Sequence, residues 1–133
     1  MASPARSHPL RINDITGAIV NSAMKVRSLL GPGLLESAYQ ACLAHELRTR
    51  GFEVATQVGL PLVYDGQKLE VGYRIDLAVE RRVVVEVKSV DALHPIHEAQ
   101  LLSYMRLRGM RVGLLINFNV LHLREGIRRM VDG

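Results

Sequence analysis

Asp76, Glu86 and Lys88 stand in the stretch Asp76-Leu77-Ala78-Val79-Glu80-Arg81-Arg82-Val83-Val84-Val85-Glu86-Val87-Lys88, which reads as two apolar strands joined by a charged turn. Val83, Val85 and Val87 share one face by the two-residue strand period, so Glu86 and Lys88 share the other. If Val79 pairs with Val83 across Glu80-Arg81-Arg82, Asp76 falls opposite Glu86, with Cβ atoms about 5 Å apart. Two carboxylates that close repel unless a cation lies between them, and Lys88 adds positive charge beside them. The chemistry that suits such a set is metal-dependent phosphodiester hydrolysis. A two-residue Arg81-Arg82 turn would instead send the carboxylates to opposite faces, because a one-residue slip inverts every side chain. The plainer alternative is an edge hairpin whose Glu and Lys form an ion pair on a solvated face.

The elements that must position these residues follow from periodicity. Ile12, Ile15, Ile19, Val26 and Leu30 recur at helical spacing, predicting an amphipathic helix over about 11–30 that ends at Gly31-Pro32-Gly33. A second helix is expected from about Leu34 to Arg50, stopping at Gly51. Its Glu36, Tyr39, Leu43 and Leu47 fall on one stripe, which points a carboxylate along a partly apolar face; an acidic residue near a helix N-terminus is also favoured by the helix dipole alone. Phe52, Val54, Thr56 and Val58 alternate as a strand, with Leu60 to Tyr64 as an extension past a kink at Pro61. Asp65-Gly66 is a hairpin turn signal, and Leu69 to Val79 gives a long alternating strand. Val83 to Lys88 is its partner.

Pro95 suits the first turn of a third helix running to Arg108, with Gly109 beyond its end. Gln100 and Tyr104 stack one turn apart on it, near Ile96 and Leu107, and polar groups so placed satisfy one another or reach a ligand. Val112 to Ile116 is a nearly continuous apolar run, as expected of a strand covered on both faces. Ile127 to Val131 is available as a last edge strand. The predicted order is α-α-β-β-β-α-β in an α/β layer fold, with a parallel crossover through the third helix in a mixed sheet.

At 133 residues the chain is read as one domain over 10–133 behind a flexible tail at 1–9. The tail lacks the apolar core of a secretory signal, and no run approaches the ~18 apolar residues of a membrane span. A soluble, cytoplasmic protein without a membrane partner is expected. The single Cys42 has no disulfide partner and reads as a packed core thiol. A net charge of +4, from 17 Lys and Arg against 13 Asp and Glu, favours polyanions mildly. With six aromatic residues and no Trp, base stacking along a single strand is not an obvious binding mode. His94 and His97 are spaced for a transition metal but lack further soft ligands, so they read as loop or helix-cap residues, with His97 near the substrate. Gly31-Pro32-Gly33 lacks the Lys and Ser/Thr of a phosphate-binding loop.

Taken together, these residues resemble a known family. Gly33-Leu34-Leu35-Glu36-Ser37-Ala38-Tyr39 fits the GxxExxY signature of a bacterial family of small proteins within the PD-(D/E)XK nuclease superfamily. Asp76 is similar to that superfamily's acidic residue on the second core strand, Glu86-Val87-Lys88 to its (D/E)-x-K, and Gln100-Leu101-Leu102-Ser103-Tyr104 to a Q-x-x-x-Y element. Ile75 stands where the superfamily's name has Pro. The resemblance spans roughly Ile12 to Val131 and implies a restriction-endonuclease-like mixed sheet flanked by helices.

It implies Mg²⁺ or Mn²⁺ as the cofactor, in keeping with oxygen ligands selecting hard cations. Asp76, Glu86 and the Val87 carbonyl would hold the ion, and Glu36 a second ion or a water of the first. Lys88 would orient the attacking water or stabilise charge on phosphorus, and Gln100 and Tyr104 would orient Lys88 or a phosphate. Arg74, Arg106 and Arg108 are available for backbone contacts. The implied substrate is DNA ahead of RNA, bound by structure or end and not by sequence, with a homodimer as a possible assembly. The rival reading is a non-catalytic nuclease-fold protein that binds a protein or nucleic-acid partner.

Overall fold

The computed structural model describes residues 9–133. The expected tail at 1–9 lies outside the described residues except for Pro9. Two helices open the chain, α1 (Ile12–Leu30) and α2 (Glu36–Thr49), followed by three strands, β1 (Val54–Tyr64), β2 (Gln67–Val79) and β3 (Val83–Lys88). Helix α3 (Pro95–Arg108), strand β4 (Val112–Asn117), a short 3-10 turn (Leu123–Gly126) and strand β5 (Ile127–Val131) complete it. The predicted order holds, and Ile127–Val131 is the edge strand. Helix α2 starts two residues later than expected, with Leu35 as its extended N-cap.

The strands form one sheet in the order β1-β2-β3-β4-β5. All neighbours are antiparallel except β3 and β4, which α3 joins in parallel with Val85 beside Leu114 and Lys88 beside Asn117. Helices cover both faces. Val83, Val85 and Val87 pack with Leu77, Val79, Leu114 and Ile116 against α1 and α2. Val84 and Leu115 pack with Ile75 and Ala78 against Leu101, Tyr104 and Met105 of α3. Cys42 is partly buried at the rim of the first cluster and unpaired by any disulfide. No helix among the described residues is long and apolar enough to cross a membrane.

The β2–β3 hairpin adopts the three-residue turn. Val79 pairs with Val83, Ala78 with Val84 and Leu77 with Val85. Glu80 and Arg81 take the left-handed conformation at φ 53° and 55°, which closes the turn with an Arg82 N–H to Val79 carbonyl bond of 3.0 Å.

The long alternation expected for β2 breaks at Asp76. Leu77 and Val79 face α1 and α2, whereas Ile75, which strict alternation would put beside them, packs on the α3 side. The opposing Gln57 of β1 has φ 52°, and the backbone rolls over at this point. Gln67 to Arg74 of β2 are exposed on both faces, and β3 pairs with β2 only as far as Leu77. Gly59 to Arg74 is therefore a two-stranded arm projecting past the rest of the sheet, closed by Asp65-Gly66 and irregular between Leu60 and Leu62, where Pro61 sits.

Candidate active site

The β2–β3 ladder ends at Leu77 and Val85, and side chains take over its hydrogen bonds. Val87, the next residue whose N–H faces β2, donates to Asp76 Oδ2 at 2.8 Å. The Asp76 N–H in turn donates to Glu86 Oε1 at 3.2 Å. The two strands thus splay around their own carboxylates. In a strand, N–H and C=O of one residue leave on the same edge, so the Val87 carbonyl faces the same gap.

Glu86 is only 4% exposed, among the few buried charged or polar residues. Burial, then the charge of the Asp76 carboxylate and a side-chain hydrogen bond to it, push the Glu86 carboxyl up to about 8, with the Asp76 N–H and then Lys88 only partly opposing. With Glu86 buried and Asp76 half-buried, such an acid pair holds one proton or one cation in comfort, since two unscreened carboxylates at reduced dielectric cannot both ionise cheaply.

Among the described residues no three His, Cys, Asp or Glu side chains gather closely enough to hold a metal by themselves. The oxygen set of Asp76, Glu86 and the Val87 carbonyl nevertheless fits a small hard cation. Mg²⁺ keeps several waters and needs only one or two carboxylates from a protein. Lys88, on the same strand face as Glu86, is half-buried and opens into a cleft of about 560 Å³. Its walls include Tyr73, Ile96, His97, Gln100, Tyr104 and Leu107. The cleft lies at the carboxyl end of a parallel strand, where α/β sheets commonly bind ligands.

Gln100 and Tyr104 meet as expected from their spacing, Gln100 Nε2 donating to the Tyr104 hydroxyl at 3.0 Å. Burial, and next the negative charge of Glu86, raise the Tyr104 phenol, so that it remains a neutral donor. His94 caps α3, and its N–H donates to His97 Nδ1 at 3.0 Å. Glu36 opens α2, and its Oε2 accepts the Ser89 N–H at 3.4 Å. It thus stands one residue beyond Lys88, in a shallow depression formed with Leu34, Leu35, Ser37 and Ser89. The structure brings Asp76 to Glu86, and Lys88 to Gln100 and Tyr104; Glu36 approaches the same strand end from the opposite helical layer. Arg106 is turned to Asp132 of the C-terminal segment at 3.4 Å, and Arg74 to the Gln57 carbonyl at 3.3 Å.

Two positioning residues carried no such assignment in the sequence. Tyr39 is fully buried and stacked on Phe118, with ring centroids 4.4 Å apart. Its hydroxyl donates to the Gly31 carbonyl at 2.6 Å and accepts the Leu34 N–H at 3.2 Å. It therefore clamps the α1–α2 loop that delivers Glu36. Asn117 is 1% exposed and ties down the segment after Lys88. Its Oδ1 accepts the Val90 N–H at 3.1 Å and its Nδ2 donates to the Val90 carbonyl at 3.0 Å. A polar residue closing the apolar run Val112 to Ile116 was the only signal for it.

A mixed five-stranded sheet with helices on both faces is a restriction-endonuclease-like architecture. A family model described as the PD-(D/E)XK nuclease superfamily matches residues 13–130, and the chain belongs to that superfamily. Its members are nuclease-type phosphodiesterases that generally use divalent metal ions. Neither a comparison with curated proteins nor one with solved structures finds a match.

Proposed function

We propose that this chain is a Mg²⁺- or Mn²⁺-dependent nuclease of the GxxExxY branch of its superfamily, acting on DNA in preference to RNA and selecting structure or ends over sequence. The observation that carries the reading is the pair of buried Glu86 and half-buried Asp76, joined by the bonds of the splayed hairpin and followed on the same strand face by Lys88 at a cleft.

In this reading Asp76, Glu86 and the Val87 carbonyl hold the cation, which when bound polarises a phosphoryl oxygen and acidifies a water. Asp76 is preorganised for this by the Val87 N–H that fixes its carboxylate. Lys88 orients the attacking water and meets the negative charge that grows on phosphorus in the transition state. Tyr104, kept neutral, donates toward the same region, and Gln100 fixes its hydroxyl. Glu36 holds a water or a second ion at the end of β3 beside Ser89. Sequence-indifferent binding follows from phosphate contacts, which carry affinity but no sequence information.

The test is cleavage of labelled linear, nicked and branched DNA, and of RNA, by pure protein in Mg²⁺, Mn²⁺ or EDTA, with Glu86→Gln as the control. Metal-dependent cleavage that Glu86→Gln lacks is the expected result. Absence of cleavage on every substrate, with a protein partner bound instead, would replace this reading by the non-catalytic one.

A further inference from the structure

We propose that the cleft beyond Lys88 receives an unstacked nucleobase against Tyr73, so that the preferred substrate is a single strand or a frayed end and not an intact duplex. This rests on the nuclease reading above and names the substrate class of the same site.

The cleft is wrong for a phosphate backbone and right for a base. Its walls are mostly apolar or aromatic: Leu62 and Tyr73 from the projecting arm, and Ile96, Tyr104 and Leu107 from α3. Among the described residues, Lys88 is the one Lys or Arg lining it. A track for a polyanion would instead be lined with several cations. Large apolar side chains stand open to solvent here, Ile96 at 70% and Tyr73 at 45% exposure. The chain has only four Tyr and two Phe, yet Tyr73 and Tyr104 meet at this place with ring centroids 5.9 Å apart, tilted by 46°. Tyr104 is buried and held by Gln100, whereas Tyr73 is open to solvent and lines the cleft.

Polar groups on one wall suit the edge of a base. The Gln100 amide nitrogen is engaged by Tyr104, which leaves the amide oxygen as an acceptor, and the exposed Ser103 hydroxyl lies on the same helix. The cleft shares Lys88 with the acid pair, so a nucleotide whose phosphate sits at Asp76 and Glu86 has its base, or its neighbour's, at the cleft mouth. Bases of a duplex are stacked and paired and cannot enter; a base of a single strand can, and base–aromatic stacking is indifferent to base identity. The sequence's poverty in aromatics argued against a run of stacked bases. One platform for one base needs only Tyr73.

The test is fluorescence anisotropy at low salt in EDTA, where binding is read without cleavage. The probes are a labelled oligothymidine, the same strand with abasic sites, and a blunt duplex of equal length. Oligothymidine should bind about tenfold more tightly than the abasic strand, the scale of one stacked base. Tyr73→Ala should erase that difference and Tyr73→Phe should keep it. Ile96→Asp, at an exposed position that leaves the fold intact, should also reduce it.

Equal binding of intact and abasic strands, tighter binding of the blunt duplex than of oligothymidine, or an undiminished preference in Tyr73→Ala overturns the proposal. The two readings fail separately. Metal-dependent cleavage with no base preference removes the base cleft alone, and base-dependent binding without cleavage in any divalent ion removes the nuclease reading alone.

Discussion

Asp76 and Glu86 are tied together twice where the β2–β3 ladder stops: the Asp76 N–H donates to Glu86 Oε1 at 3.2 Å, and the N–H of the residue after Glu86 donates to Asp76 Oδ2 at 2.8 Å. The carboxylates replace the next rung of the sheet. They are therefore held by backbone groups before any ion arrives, and the cost of their proximity falls on Glu86, the more buried of the two.

That cost predicts a pH dependence of stability without metal. The folded Glu86 carboxyl sits at about 8, above its ordinary 4.5. The folded state therefore holds a proton that the unfolded chain has released. The stability this lends is full below about pH 4.5 and is lost as pH rises through about 8, at up to ~1.4 kcal/mol per pH unit for one proton. Urea unfolding in EDTA between pH 5 and 9 should show this decline. Glu86→Gln should flatten it and be the more stable protein at pH 9, since a neutral amide keeps the Asp76 N–H bond. A decline of equal slope in both proteins would assign it to other groups.

Divalent ion should reverse the same cost at neutral pH. Mn²⁺ at a hundredfold above its dissociation constant stabilises by about 2.7 kcal/mol if it binds only the folded state. Thermal melts of wild type should rise with Mn²⁺ and those of Asp76→Ala should not. An equal rise in both would put the ion elsewhere.

Lys88 is assigned to the transition state and not to the ion. Lys88→Ala should abolish cleavage while the Mn²⁺-dependent rise in melting temperature stays at or above that of wild type, because a competing positive charge is gone. An interaction made only in the transition state lowers turnover without weakening ground-state binding in proportion. Single-turnover cleavage at the wild-type rate by Lys88→Ala would end this assignment.

Tyr39 separates clamp from core. Tyr39→Phe keeps the stack on Phe118 but loses the hydroxyl that joins Gly31 to Leu34. It should cost about 1 kcal/mol of stability, the net worth of an ordinary hydrogen bond, or up to ~3 if the Gly31 carbonyl is left unsatisfied. Cleavage should fall with it through the loop that carries Glu36. Tyr39→Ala should cost about 3–5 kcal/mol through the cavity it leaves. Unchanged cleavage in Tyr39→Phe would show that the clamp does not position Glu36.

What the sequence determined by itself was whatever depends on neighbours along the chain. The shared facing of Glu86 and Lys88 followed from the two-residue strand period, whereas the charged turn allowed two registers, and the folded hairpin with left-handed Glu80 and Arg81 decided for Val79–Val83. The bounds of α3 followed from Pro95 and Gly109, which start and stop a helix by their own backbone preferences. The stacking of Gln100 over Tyr104 followed from the helical repeat. Tertiary structure alone decided the rest. The reversal of facing at Ile75 depends on Gln57 of the opposing strand. The exposure of Leu69, Val71 and Tyr73 depends on β3 being too short to cover them. Asn117 joins Val90 across a parallel crossover, and Tyr73 meets Tyr104 where the arm passes α3. Such contacts join residues far apart in the chain, and no local periodicity records a meeting that only the packed sheet brings about.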